Sequence, residues 1–261
     1  MATMIDLNSD LGESFGPYRL GDDAPLLDAL SSANVACGFH AGDPRVMFDT
    51  VRLAKEKGVA VGAHPSFPDL VGFGRRVMAL TPDELATDVL YQLGALDAFC
   101  RAVGVPLQHV KPHGAMYNLI ATEESLARAV VEAALSYSTS LIVVGLPGSA
   151  VERVAAEVGA PFAREAFADR GYNPDGTLAS RKLPGAVVTD PEEVARRAVR
   201  MVADGKATAL DGSEIALRAD TLCIHGDTPG APVLARAVRA ALEAEGIAIR
   251  PLAEVVRGAG G

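Results

Sequence analysis

A single α/β barrel is the fold that the sequence predicts, on three observations. Short β-branched or apolar runs alternate with longer segments of helical period, the pattern of a parallel sheet built from βα units. The length, 261 residues, matches the roughly 250 that one such barrel uses. Polar residues follow the first, second, third, fourth, sixth and seventh runs. A barrel turns the C-terminal end of every strand toward one mouth, whereas an open doubly wound sheet gathers its ligands at one switch point. So wide a distribution therefore favours the closed ring.

Strands are expected near 4–8, 34–39, 59–63, 107–112, 140–145, 162–167 and 221–225, with an eighth near 247–250. Helices are expected at 43–57, 82–103, 122–136, 191–204 and 230–245. Side chains alternate along a strand, so the first strand carries Asp6, Asn8 and Asp10 on one side and Ile5 and Leu7 on the other. A buried carboxylate face needs a cation, a proton or a hydrogen-bonded ligand. At a rise of roughly 3.3 Å per residue the three cannot all meet one small atom, which leaves Asn8 and Asp10 near the mouth and Asp6 deeper. Glu13 either reaches back to the same place or stays a solvated loop carboxylate.

The second strand ends in Gly38-Phe39-His40-Ala41-Gly42-Asp43, where Asp43-Pro44 is a helix-start signal. The third ends in Gly62-Ala63-His64-Pro65. After it, Gly72-Phe73-Gly74-Arg75-Arg76 supplies backbone amides and guanidinium groups that could hold phosphate or carboxylate. Thr81-Pro82 opens the next helix. On the fourth strand His109, Lys111 and His113 share one parity, and a lysine facing a barrel interior either pairs with a carboxylate or has a lowered pKa. His109 lacks a glycine or proline neighbour and reads as a packing or supporting residue.

The sixth strand ends in Glu165-Ala166-Phe167-Ala168-Asp169-Arg170, where an Asp169–Arg170 pair that only pins the loop is the plain alternative. Gly171, Asn173-Pro174-Asp175-Gly176 and Pro184-Gly185 then make 168–190 an irregular loop over the mouth. Asp190-Pro191 starts a helix, and the seventh strand ends in Ile224-His225-Gly226-Asp227. Residues 1–256 read as one domain and 257–261 as a flexible tail.

Four of the five histidines, His40, His64, His113 and His225, thus follow an apolar strand beside glycine or proline. One such residue is ordinary packing, but four together indicate an active site. The formal net charge of −9 repels phosphate backbones and anionic lipid, so neither nucleic acid nor membrane is an expected partner. Three cysteines without a CxxC pair suit a reducing, cytoplasmic setting, and no leader or membrane-length apolar run is seen. GxxxxGK(S/T), a complete GxGxxG, GxSxG and HExxH are absent, so a nucleotide would have to bind without a P-loop.

The blocks DLNSDLGE at 6–13, NVACGFHAGD at 34–43, GAHP at 62–65, VKPHG at 110–114, EAFADR at 165–170 and IHGD at 224–227 run in order over nearly the whole chain. Together they resemble the LamB/YcsF family. The resemblance implies a seven-stranded, distorted (β/α)7 barrel of the glycoside hydrolase/deacetylase type, which puts the eighth strand in question. It also implies ATP-dependent opening of the 5-oxoproline lactam to L-glutamate, with ATP as co-substrate and with subunits B and C of bacterial 5-oxoprolinase as partners. The expected catalytic set is Asp10, Lys111, His113, Glu165 and His225. Asn8, Asp43, Arg75, Arg76, Asp169, Arg170 and Asp227 are expected to bind substrate or phosphate. By analogy of fold, Asp10, His40 and His64 would hold a divalent metal, magnesium or zinc. Two alternatives stay open: a stand-alone metal-dependent amidase or deacetylase, and a non-catalytic lactam- or carbohydrate-binding component.

Overall fold

The first strand governs how the ring closes. The computed structural model describes residues 3–226, 228 and 230–259. In chain order its elements are β1 (Met4–Leu11), α1 (Asp23–Leu27), β2 (Ser32–Ala36), α2 (Pro44–Lys57), β3 (Ala60–His64), α3 (Pro82–Val103), β4 (Leu107–Val110), α4 (Gly114–Thr122), α5 (Glu124–Tyr137), β5 (Ile142–Gly145), α6 (Ala150–Val158), β6 (Phe162–Phe167), α7 (Pro191–Ala203), β7 (Lys206–Thr208), β8 (Glu214–Ala216), β9 (Thr221–Cys223), α8 (Ala231–Ala244), β10 (Ala248–Ile249) and α9 (Leu252–Ala259). Strands β1 to β6 pair in sequence, and β9 pairs with both β6 and β1, which closes seven parallel strands into a barrel.

The expected eighth strand exists but is no member of the ring. β10 pairs only with Met4 and Ile5 of β1, below the stretch from Asp6 to Asn8 that β9 occupies. Residues 4–8 of β1 thus serve two partners in succession along one edge. Residues 257–259, expected to begin a tail, continue helix α9. The antiparallel hairpin β7–β8 and the helices α1, α4 and α6 have no counterpart in the sequence reading.

The three proline starts form as the sequence requires. Asp43, Thr81 and Asp190 each accept a backbone N–H of the first turn, and Thr81 with Glu84 completes a capping box. On β1 the odd residues Ile5, Leu7 and Leu11 enter the apolar layer between strands and helices. The even residues turn into the barrel, whose interior is polar. The Asp6 carboxylate accepts from the hydroxyls of Ser31, Ser32 and Thr221 at 2.6–2.7 Å. One layer up, the Asn8 amide donates to Thr221 and Glu165, and the Asn34 amide donates to Asn8 and Asp10. This network meets the demand that buried polar groups be hydrogen-bonded, and it holds the strands in register. No helix among the described residues is long and apolar enough to cross a membrane.

Candidate active site

The third interior layer opens into a cavity of about 720 Å³ at the C-terminal rim, lined by residues that include Asp10, Glu13, His64, Arg75, Lys111, His113, Tyr117, Arg170 and His225. A groove at the opposite end, about 850 Å³, is lined mainly by apolar residues such as Val59, Val61, Leu107 and Val256. Convergent titratable groups lie at the C-terminal rim, where barrel enzymes carry their sites.

Lys111 is the hub. Its ammonium lies 2.9 Å from Asp10 Oδ1, 2.7 Å from Glu165 Oε1, 3.1 Å from Cys223 Sγ and 5.5 Å from the Phe167 ring centroid. Burial alone would lower its pKa, but Asp10, Cys223 and Glu165 outweigh that and raise it well above the usual lysine range. Burial likewise pushes the Asp10 carboxyl up, while the charges of His64 and Lys111 hold it well below the ordinary carboxylate range. The pair is therefore a fixed cation beside a fixed anion. Of the two outcomes open to this lysine, pairing is the one realised.

His225 forms a second unit across the cavity. Its Nδ1 lies 3.0 Å from the fully buried Asp169 carboxylate, and its ring stacks on Phe167 with centroids 5.3 Å apart. Asp169 also accepts the His225 backbone N–H, so it fixes both tautomer and orientation. Tyr117 sits on the cavity wall, where its buried hydroxyl faces the Glu165 carboxylate. Burial, aided by Glu165, pushes the phenol well above its usual range and keeps it a neutral donor.

Glu13, His40, His64 and His113 form the third unit, with one donor atom from each lying within 4.8 Å of the others; such a group could hold a metal ion. They come from the loops that follow β1, β2 and β4 and from the last residue of β3. His40 stacks on His113 with centroids 3.8 Å apart. Burial pushes His113 down to about 3 and His40 well below the usual imidazole range.

Several expected positions land elsewhere. Asp10, expected with His40 and His64 as a metal ligand, touches His64 at 3.3 Å but is engaged by Lys111 and Asn34, and Glu13 with His113 completes the cluster instead. Asp43 is a capping residue whose carboxylate accepts from Gly16, Arg45 and Val46, outside the cavity lining. Arg76 turns away to bind Asp69, while Arg75 stays at the cavity over the Phe73 ring. Asn8 lies in the layer below the cavity, and the buried Asp169 carboxylate faces His225. Arg170 lines the cavity while donating to the carbonyls of Ala179 and Ala186. Asp227 lies outside the described residues. Tyr117 was missed by the sequence reading, although its place one turn after His113 could have marked it. Ser66, which holds His40, gives no sequence signal.

The LamB/YcsF family model matches residues 5–257. The A subunit of 5-oxoprolinase from Pyrococcus furiosus is 56% identical over 253 residues, covering 97% of this chain and 99% of that protein. The same-named protein of Paracidovorax citrulli is 55% identical over 249 residues, covering 95% and 99%. The crystal structure of a lactam utilization protein from Thermus thermophilus superposes with a TM-score of 0.91 at 54% identity, covering 95% of this chain and 99% of that one. A deacetylase solved with its substrate shares the fold alone, at a TM-score of 0.54 and 14% identity over 98% of this chain and 92% of its own.

Proposed function

Because the chain belongs to the LamB/YcsF family, we propose that it is the lactam-opening component of an ATP-dependent 5-oxoprolinase that works with subunits B and C. The observation that carries this reading is the meeting of a charged Lys111–Asp10 pair with an Asp169-oriented His225 at one cavity, in a chain more than half identical to proteins of that name.

A lactam carbonyl is a poor electrophile because attack removes amide resonance. Transfer of the γ-phosphoryl group of ATP to its oxygen produces a far better acceptor. Lys111 supplies a fixed positive charge beneath that oxygen, and Arg75 and Arg170 supply charge at the mouth for phosphate or carboxylate. Asp10, its carboxylate fixed by Lys111, accepts a hydrogen bond from the attacking water and orients it, and His225 takes the water's proton. His225 hands a proton to the ring nitrogen as the carbon–nitrogen bond breaks, and its Asp169 partner offsets the imidazolium charge. A second water releases phosphate, so one lactam, one ATP and two waters give L-glutamate, ADP and phosphate. Glu165, buried against Lys111, serves as a positioning residue.

The test is 5-oxoproline-dependent ADP release by the chain with its candidate partners, omitting each in turn. Release that needs every component supports the reading, and release unaffected by omitting this chain defeats it. A second reading, a stand-alone metal-dependent amidase, is favoured by the Glu13, His40, His64, His113 group. Turnover by the lone chain without ATP would select it.

A further inference from the structure

We propose that Glu13, His40, His64 and His113 form a four-coordinate centre for a nitrogen-preferring divalent ion of the zinc and cobalt type, clamping four successive strand ends together. Neighbouring groups decide which imidazole nitrogens carry hydrogen. His64 Nδ1 lies 2.6 Å from the Lys111 carbonyl, so it must donate there, which leaves Nε2, 3.3 Å from Asp10 Oδ2, as the nitrogen that faces the cluster. His113 Nε2 lies 2.9 Å from the Phe73 carbonyl, so Nδ1 is bare. The Ser66 hydroxyl donates to the Phe67 carbonyl and can only accept from His40 Nδ1 at 3.0 Å, so His40 Nε2 is bare too.

Those three nitrogens face one another and a carboxylate. His64 Nε2 and His113 Nδ1 are 2.9 Å apart, His40 Nε2 is 3.3 Å from Glu13 Oε1, and His113 Nδ1 is 3.8 Å from the same oxygen. A proton on one of these nitrogens serves one neighbour at a time, whereas a cation meets all four groups. A tetrahedral ion with bonds of about 2.0–2.1 Å spaces its ligand atoms about 3.3–3.4 Å apart, within the range seen here. Three imidazoles with one carboxylate select zinc-like ions over magnesium, which demands oxygen. Each histidine has the outer hydrogen bond to a carbonyl or hydroxyl that orients a metal-bound imidazole. Ion binding here stands apart from the choice of substrate.

The experiment uses the full chain, stripped with chelator and titrated with cobalt(II), zinc(II) or magnesium(II). We expect one cobalt per chain with the intense visible absorption of a tetrahedral ion, displacement by zinc but not by magnesium, and a higher Tm with zinc. His113→Ala and Glu13→Gln should each weaken cobalt binding at least about tenfold. Failure of the wild-type chain to take up cobalt or zinc stoichiometrically would overturn the centre. So would variants that fold, judged by circular dichroism, and bind as the wild type does. The wild-type titration stands even where a variant does not fold.

Discussion

At the residue scale, chemistry depends on tautomers and charges that neighbours impose. Asp169 is the clearest case, since its buried carboxylate holds both the ring and the backbone N–H of His225. Asp169→Asn should leave the fold intact but present the wrong tautomer, lowering turnover about 100-fold or more. Steady-state kinetics of the assembled enzyme check this, with kcat falling more than KM rises. His109 shows the opposite use of an imidazole. Burial pushes its pKa down to about 3; Nε2 donates to Asn34 at 2.8 Å, and Nδ1 accepts from Gln108 at 3.2 Å. Between pH 6.5 and about 3 the unfolded chain protonates this ring and the folded chain does not. The neutral ring's contribution is therefore complete above pH 6.5 and is lost as the pH falls toward about 3. Urea unfolding across that window should show a shallower pH dependence for His109→Gln, though not a flat one, because His113 is held to about 3 as well. The parity of His109, Lys111 and His113 was legible from sequence. That His109 fills the space beside Gly62, where a Cβ would come within 2.0 Å of its ring, was not.

At the element scale, the loops after β3 and β4 are sewn together. Ala115 N–H donates to Gly74 O at 2.9 Å and His113 N–H donates to Pro65 O at 2.8 Å. Gly114 sits at φ +60, and a Cβ there would lie 2.5 Å from Gly74 O. Gly114→Ala should therefore cost about 1–3 kcal/mol and pull Phe73 away from His113. The matched control is Gly94, in α3 with open space around it, where alanine should stabilise by about 0.5–1 kcal/mol. Thermal unfolding of both variants, run in parallel, separates the two effects. Helix starts marked by proline were readable because a cap and a fixed φ are local. Helix α4 was not, since Gly114 opens it in a left-handed conformation that resembles a loop signal. The hairpin β7–β8 escaped for a related reason: strands of three residues carry too little periodicity to register.

At the scale of the whole molecule, the barrel is polar inside and apolar outside the strands, an inversion that the even residues of β1 announced. Closure brings residues from Asp10 to His225 to one rim. The strand-end histidines made that convergence legible, whereas the partition into Lys111, His225 and imidazole-cluster units depends on interlayer distances that no spacing encodes. Whether this rim performs the lactam opening is decided by comparing wild type with Lys111→Ala in the complex rebuilt with subunits B and C. 5-Oxoproline-dependent ADP release should fall at least about 100-fold while the complex still assembles. Turnover close to wild type in an assembled Lys111→Ala complex would mean that the chemistry lies elsewhere.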